Sequence, residues 1–149
     1  TLVVSRDFAM GKWPPDLALE VAVPYKSDGA PSRQVYLWYV PANVAGKWQW
    51  RMPAGETSGT YQAAIGQTFQ QLSAEVTVDG GRVNLEAAKL QGDAIAFTLV
   101  HEAAGRKEAY AYSGHVDGDK IVGRIKRSAD DKVFDWQATR LWRGQINIE

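Results

Sequence analysis

The sequence predicts an all-β protein, an antiparallel up-and-down meander that forms a barrel or half-barrel, preceded by strands from an α/β sheet. Three observations predict it. From Val44 onward, apolar residues recur at every second position in segments separated by short Gly- and Asp-containing turns, the period of half-buried strands. Glycines at Gly46, Gly66, Gly114 and Gly123, read as inward-facing, weaken strand interiors and so mark sharp bends or close backbone approach. Finally, the burial pattern changes type inside Gln34 to Arg51, QVYLWYVPANVAGKWQWR, at Pro41-Ala42-Asn43.

Taken in order, Leu2 to Val4 is a short apolar run suited to a buried strand, and Gly11 to Asp16, with two consecutive prolines, interrupts regular structure. Leu17 to Val23 reads as a strand because Val21, Val23 and the following Pro24 disfavour a helix. Ser27 to Ser32 is a turn cluster. Tyr36, Trp38 and Val40 then share one strand face, and Leu37 and Tyr39 the other. A strand apolar on both faces needs cover on both, as in an α/β sheet or at a packed junction. Pro41 removes a backbone donor where ladder pairing would stop, so a boundary falls between residues 1–41 and residues 42–149.

Past that boundary Val44, Gly46, Trp48, Trp50 and Met52 share a face. Tyr61, Ala63, Ile65 and Phe69 form the next series, and Ala74, Val76 and Val78 the one after, with a bend at Gln70-Gln71. Turns are expected at Asp79-Gly80-Gly81, Gln91-Gly92-Asp93, Ala103 to Arg106, Asp117-Gly118-Asp119 and Ser128 to Lys132. The strands between them carry Val83 and Leu85; Ile95, Phe97 and Leu99; Tyr110, Tyr112, Gly114 and Val116; Ile121, Gly123 and Ile125; and Phe134, Trp136 and Ala138. About eight curved strands in a meander point to a lipocalin-like closure, which removes exposed sheet edges. The tail, Leu141 to Glu149, has no assigned place in that barrel.

Composition narrows the function classes. At 149 residues and 45% hydrophobic content the chain can build one substantial core. Its 17 basic and 17 acidic side chains cancel, so no global field draws it to nucleic acid or an anionic membrane, and no apolar run is long enough for a spanning helix. With no cysteine and two histidines, thiol catalysis is excluded and no transition-metal site is expected. Neither nucleic acid nor membrane is an expected partner, and a cytoplasmic location is the expectation. Beginning at Thr1 without an initiator Met, the chain reads as a fragment or processed product.

Among candidate sites, the inward aromatic set is Trp48, Trp50, Tyr61, Phe69, Phe97, Tyr110, Tyr112 and Trp136. Of these Trp48, Trp50, Tyr61, Tyr110, Tyr112 and Trp136 carry polar handles and are the ligand-binding candidates if the barrel encloses a small apolar molecule. The same rings would equally fill a solid core, since aromatic side chains dominate core energetics with or without a ligand. Ser113, His115, Asp117 and Asp119 do not make a hydrolase triad: Ser113 and His115 share the outer face of one strand and no nucleophile elbow is present. No catalytic residue is assigned. His101, beside Glu102 near a turn, reads as a solvated residue, and the acidic pairs in Asp117-Gly118-Asp119 and Asp130-Asp131 as turns. Lys120, Arg124 and Lys126 project from one strand face, with Arg127, Lys132, Arg140 and Arg143 nearby. They read as a solvated surface that also discourages edge pairing.

VYLWYVPANVAGKWQWR, with TLVVSRDFAMGKWPPD upstream, resembles the C-terminal third of bacterial proteins described as class I S-adenosylmethionine-dependent methyltransferases. There, a strand ending in a Val-Ser step precedes an acidic Phe-Asp-Met-Gly-Asp-Trp segment, a strand pair and a β-rich extension. Ala9 and Lys12 stand where that pattern has acids. The resemblance implies S-adenosylmethionine as cofactor of the parent protein, bound by an upstream methyltransferase-like domain and not by this chain. Residues 1–41 would be the terminal strands of that α/β domain, or N-terminal strands packing on the barrel. The implied function is a non-catalytic barrel region contributing to substrate binding or association. The alternatives are an autonomous barrel for a small apolar ligand and a structural module that forms homo-oligomers.

Overall fold

A computed structural model describes residues 2–6, 8–22, 32–52, 59–103 and 105–148. The expected turn around 27–31 and the segment 53–58 lie outside the described residues. Eleven strands form: β1 (Leu2–Arg6), β2 (Leu17–Ala22), β3 (Ser32–Tyr39), β4 (Gly46–Arg51), β5 (Thr60–Thr68), β6 (Gln71–Val78), β7 (Gly81–Gln91), β8 (Ala94–Ala103), β9 (Arg106–Asp117), β10 (Lys120–Arg127) and β11 (Val133–Arg143). No helix occurs among the described residues.

Strands β4 to β11 form a closed barrel in chain order, every pair antiparallel, with β11 returning to β4. Alternation puts Trp48, Trp50, Tyr61, Ala63, Val76, Ile95, Leu99, Tyr112, Ile121, Ile125 and Trp136 inside, none more than 4% exposed. Short hairpins hold the register. Between Val78 and Gly81 the loop is Asp79 (φ 48°) and Gly80 (φ 85°), the paired positive dihedrals of a type I′ turn, which matches the twist of its strands.

Curvature comes from a row across four strands, in which Ile95 pairs with Gly114, Gly114 with Gly123, and Gly123 with Trp136. A Cβ on Gly123 would collide with the Ser113 carbonyl, and one on Gly114 would sit 3.2 Å from the Trp136 ring. Gly114 therefore makes room for the indole, and Gly123 for the close approach of the β9 backbone. At the closing seam Gly46 (φ 130°) approaches the Trp142 carbonyl too closely for any side chain.

Three readings from the sequence change. Gly66 lies between inward Ile65 and inward Gln67 and so faces outward. Phe69 leaves the interior, occupying a hairpin loop at φ 51°, where its ring stacks on Trp13 at 6.0 Å. Leu141 to Arg143 continue β11, a bulge between Arg140 and Trp142 placing two residues against one of β4. The tail beyond also has a place: Asn147 exchanges backbone hydrogen bonds with Gln67 and Phe69 at 2.7 and 3.1 Å.

The first three strands make a separate sheet in the order β1-β3-β2. Both pairings are antiparallel, so β1 and β2 run in the same direction with β3 between them. One face carries Val3, Trp38, Ser5, Tyr36 and Ala18. Trp38, fully buried there, donates its indole N–H to the Trp13 carbonyl at 3.0 Å. Register puts Leu2 with Tyr39, Val4 with Leu37 and Leu17, and Val35 with Leu19 on the opposite face. On that face Leu2, Val4, Leu17 and Leu19 stay 43–58% exposed. Trp13 stacked on Phe69, and a 2.6 Å hydrogen bond from Gln70 Nε2 to the Pro14 carbonyl, tie this sheet to the barrel.

Candidate functional site

The barrel interior holds all six aromatic candidates in three groups. Trp50 is the hub of the largest, stacked on Tyr61 at 5.6 Å and meeting Tyr112 and Trp136 edge-on at 5.7 Å each. Its N–H lies 3.3 Å from the Tyr112 hydroxyl, which in turn donates to Met52 Sδ at 3.5 Å. Burial pushes the Tyr112 hydroxyl well above the ordinary tyrosine pKa, against the opposing effect of the Trp50 N–H, so it stays neutral. Tyr110 belongs to a second group at one end, where its ring meets His101 edge-on at 5.4 Å.

His101 is not the solvated residue that its neighbours suggest. It is half-buried, its Nε2 3.1 Å from the Tyr61 hydroxyl. Burial lowers its pKa, and Glu108, its cross-strand partner, opposes the shift more weakly. The signal was present in the phase of β8, since Ile95, Phe97, Leu99 and His101 are successive alternate positions.

The third group closes the other end, and sequence reasoning missed both of its polar members. Arg140, a surface cation by its neighbours in the sequence, is in fact buried with its guanidinium 4.5 Å above the Trp48 ring. It donates to the carbonyls of Ala45, Asn43 and Gly118 at 3.0, 2.8 and 2.6 Å. Its Nε lies 3.1 Å from Asp119 Oδ1, an ion pair without the alignment of a hydrogen bond. Burial and the nearby Arg143 draw its pKa below the arginine value while Asp119 opposes them. Gln67, 4% exposed, accepts from the Val44 N–H and donates to the Ala42 and Phe69 carbonyls. Trp48 completes the plug by donating to the Val44 carbonyl at 2.8 Å. Their phases were visible: Gln67 follows Ile65, and Arg140 follows Trp136 and Ala138, at alternate positions.

Between the ends, one seam of the wall has few ladder pairs. β6 and β7 pair only at Val76–Val83, Thr77–Arg82 and Val78–Gly81, next to their hairpin. Beyond Val83, β7 carries a bulge between Glu86 and Lys89 with Ala87 at φ 54°. Behind the seam lies an apolar void lined by Trp48, Trp136, Ile65, Leu72, Leu85 and Ala88, among others, with a volume of about 10 Å³. That is about the space of one water. Of the six candidates, Trp48, Trp50 and Trp136 line it. The Trp136 indole nitrogen, on a residue 3% exposed, has no hydrogen-bond partner.

No cluster of three or more His, Cys, Asp or Glu side chains suited to a metal occurs among the described residues. His115 pairs with Asp93 at 3.4 Å on the exposed outer face of the barrel, away from the acids of the next turn. A donor such as S-adenosylmethionine is held by a glycine-rich loop running into a helix N-terminus. The described residues contain no helix and do not fit that group. The interior presents mainly apolar and aromatic surface, with the His101 and Tyr61 hydrogen bond at one end and Arg140 and Gln67 at the other. Comparison of the chain with protein-family models, with curated proteins and with solved structures finds no match.

Proposed function

We propose that this chain is the non-catalytic C-terminal barrel region of a methyltransferase-like protein, with β1 to β3 forming the terminal strands of a sheet that continues upstream. The observation that carries this reading is the small sheet itself. Both of its pairings are antiparallel, with β1 and β2 flanking β3, and mixed sheets that include antiparallel strands are common among α/β folds. One apolar face is covered through Trp13 and Trp38, while the opposite face leaves Leu2, Val4, Leu17 and Leu19 exposed. In an α/β domain a helical layer covers such a face, and the outer edge of β1, with no paired strand among the described residues, is where the sheet would continue.

In this reading the filled barrel is a rigid body that anchors the last strands and contributes to association or substrate binding in the parent. The same exposed face supports self-association of the isolated chain, because a second copy offers an apolar face of the same shape and the formal net charge is zero.

The test is to compare the 149-residue chain with the same chain extended by the residues that precede it in its natural reading frame. S-adenosylmethionine should bind the extended protein and not the isolated chain, and the β1 amides should gain protection from hydrogen exchange only on extension. Micromolar donor binding by the isolated chain, or β1 amides equally protected in both, contradicts the proposal.

A further inference from the structure

We infer that the outer wall of the barrel, across β7 to β10, carries a binding site for a small organic anion: a phosphate ester or carboxylate on a short apolar body. The site is separate from the filled interior and from the small sheet, and it stands whether or not the chain belongs to a methyltransferase-like parent.

The site is built on the close approach of β9 and β10. A Cβ on Gly123 would collide with the Ser113 carbonyl and the Gly114 Cα, so the two backbones nearly touch there. Ile95, Gly114 and Gly123 are partners in one row and face the interior, so on the outside this row presents backbone. The rows on either side carry short side chains in the middle of the wall: Ala94 and Ala96 on β8, with Ser113 opposite Ala96 on β9. Longer side chains stand at the flanks. Gln91 and Lys89 of β7 oppose Ala94 and Ala96, and Arg124 of β10 opposes Ser113. Together they surround an open depression of about 480 Å³, within the roughly 300 to 1,000 Å³ of small-molecule sites.

Charge decides the ligand class. Lys89 and Arg124 both line the depression, and among the described residues no carboxylate does, although acids and bases balance over the whole chain. Asp135 of β11 stands on the far side of Arg124, 4.0 Å from its Nε, with side chains 99% and 74% exposed. So long and hydrated a pair leaves the guanidinium donors available to an oxyanion, which they fit two at a time. Asp93 likewise faces His115 at 3.4 Å from outside the lining. Ser113 adds a hydroxyl donor between the two cations. The apolar part of the ligand has its own place. Ala96, Ser113 and Arg124 also border a second open depression of about 590 Å³, walled by Thr98, Ala111 and Val133. An anion held between Lys89 and Arg124 can therefore lay an apolar body along those side chains.

Phenyl phosphate, benzoate, inorganic phosphate and benzyl alcohol test the site on the full 149-residue chain, titrated in a phosphate-free buffer and followed in ¹H–¹⁵N spectra. Phenyl phosphate or benzoate should saturably shift the amides of Ala96, Ser113, Gly114 and Arg124, and whichever binds tighter tells a phosphate ester from a carboxylate. Inorganic phosphate, without the apolar body, and benzyl alcohol, without the charge, should each bind at least about fivefold more weakly. Lys89→Gln and Arg124→Gln should each weaken the preferred anion about fivefold, the scale of one exposed charge contact. Lys120→Gln, outside the lining, should leave the affinity unchanged. Ala96→Trp, which fills the floor from the solvent side, should abolish the shifts while the barrel melting transition stays in place. Four results overturn the proposal: no saturable shift at millimolar concentration, shifts as large around Lys47 and Arg82 as around Arg124, inorganic phosphate or benzyl alcohol binding as tightly as the preferred anion, or unchanged affinity in the Lys89→Gln, Arg124→Gln double variant. The titrations of the unaltered chain decide the matter even if a variant does not fold.

Discussion

A guanidinium buried over an indole, as Arg140 is over Trp48, ties together a loop, a turn and two strands through three carbonyl bonds. Replacing Arg140 by Met keeps much of the stem's packing and strands those carbonyls, and should cost about 2 to 3 kcal/mol in urea unfolding, as expected for hydrogen bonds from a charged donor. A loss below half a kcal/mol would mean that water reaches this end of the barrel. Trp136→Ala, which removes the ring that packs over Gly114, should cost about 3 to 5 kcal/mol. His101 makes a prediction in pH. Its imidazole pKa is lowered by burial below the ordinary value near 6.5, so between the folded and unfolded values the unfolded chain binds more protons. Its contribution is therefore complete above about pH 7, declines as pH falls through 6.5, and levels off below the folded value. Thermal melts from pH 7.5 to 5 should fall less steeply for His101→Gln than for the native chain; parallel curves would show that His101 is not the titrating group.

At the scale of strands, the barrel was legible because the buried residues of most of β4 to β11 recur with a period of two, which fixes both existence and phase, whereas β7 changes phase at its bulge, from Val83 and Leu85 to Ala88 and Leu90. The misreadings have local causes. Phe69 sits at positive φ in a turn with none of the usual turn residues, and its ring stacks on Trp13, a contact that no local pattern reveals. The bulge after Arg140 leaves Leu141 and Trp142 both exposed, which erases the alternation and hid the last three residues of β11. Buried Arg140 and Gln67 and half-buried His101 were assigned by chemical type where their strand phase pointed inward. The aromatic candidates were legible as a set, but which polar handles would be satisfied was not, since that depends on partners such as Val44, Tyr112 and Met52 across the barrel. The seam was invisible for a related reason: the hydrophobic pattern of β6 and β7 says which face is buried, not which edge is paired. Seam-facing amides of residues 71–75 should exchange before those of β8 and β9 in the free protein. Uniform protection of β6 would show that the two strands pair along their whole length.

For the whole molecule, a filled barrel carries a small sheet with one uncovered apolar face. Exposed apolar patches beyond a few hundred Å² usually mark interaction surfaces. With Leu2, Val4, Leu17, Leu19 and Tyr39 all at least 36% exposed, the face is of that order, about half of the roughly 800 Å² per partner in a standard interface. Self-association of the isolated chain should accordingly be weak and concentration-dependent, and removing the sheet should abolish it. Sedimentation velocity on the 149-residue chain between about 5 and 200 μM, a range spanning the micromolar affinities of weak interfaces, is the most direct measurement. The native chain should shift reversibly toward dimer over that range, while Val4→Asp combined with Leu19→Asp, both exposed and outside the barrel core, should stay monomeric with an unchanged barrel melting transition. A native chain that remains strictly monomeric throughout, or a double variant that associates as strongly, would contradict the account of the small sheet as an uncovered face awaiting a partner.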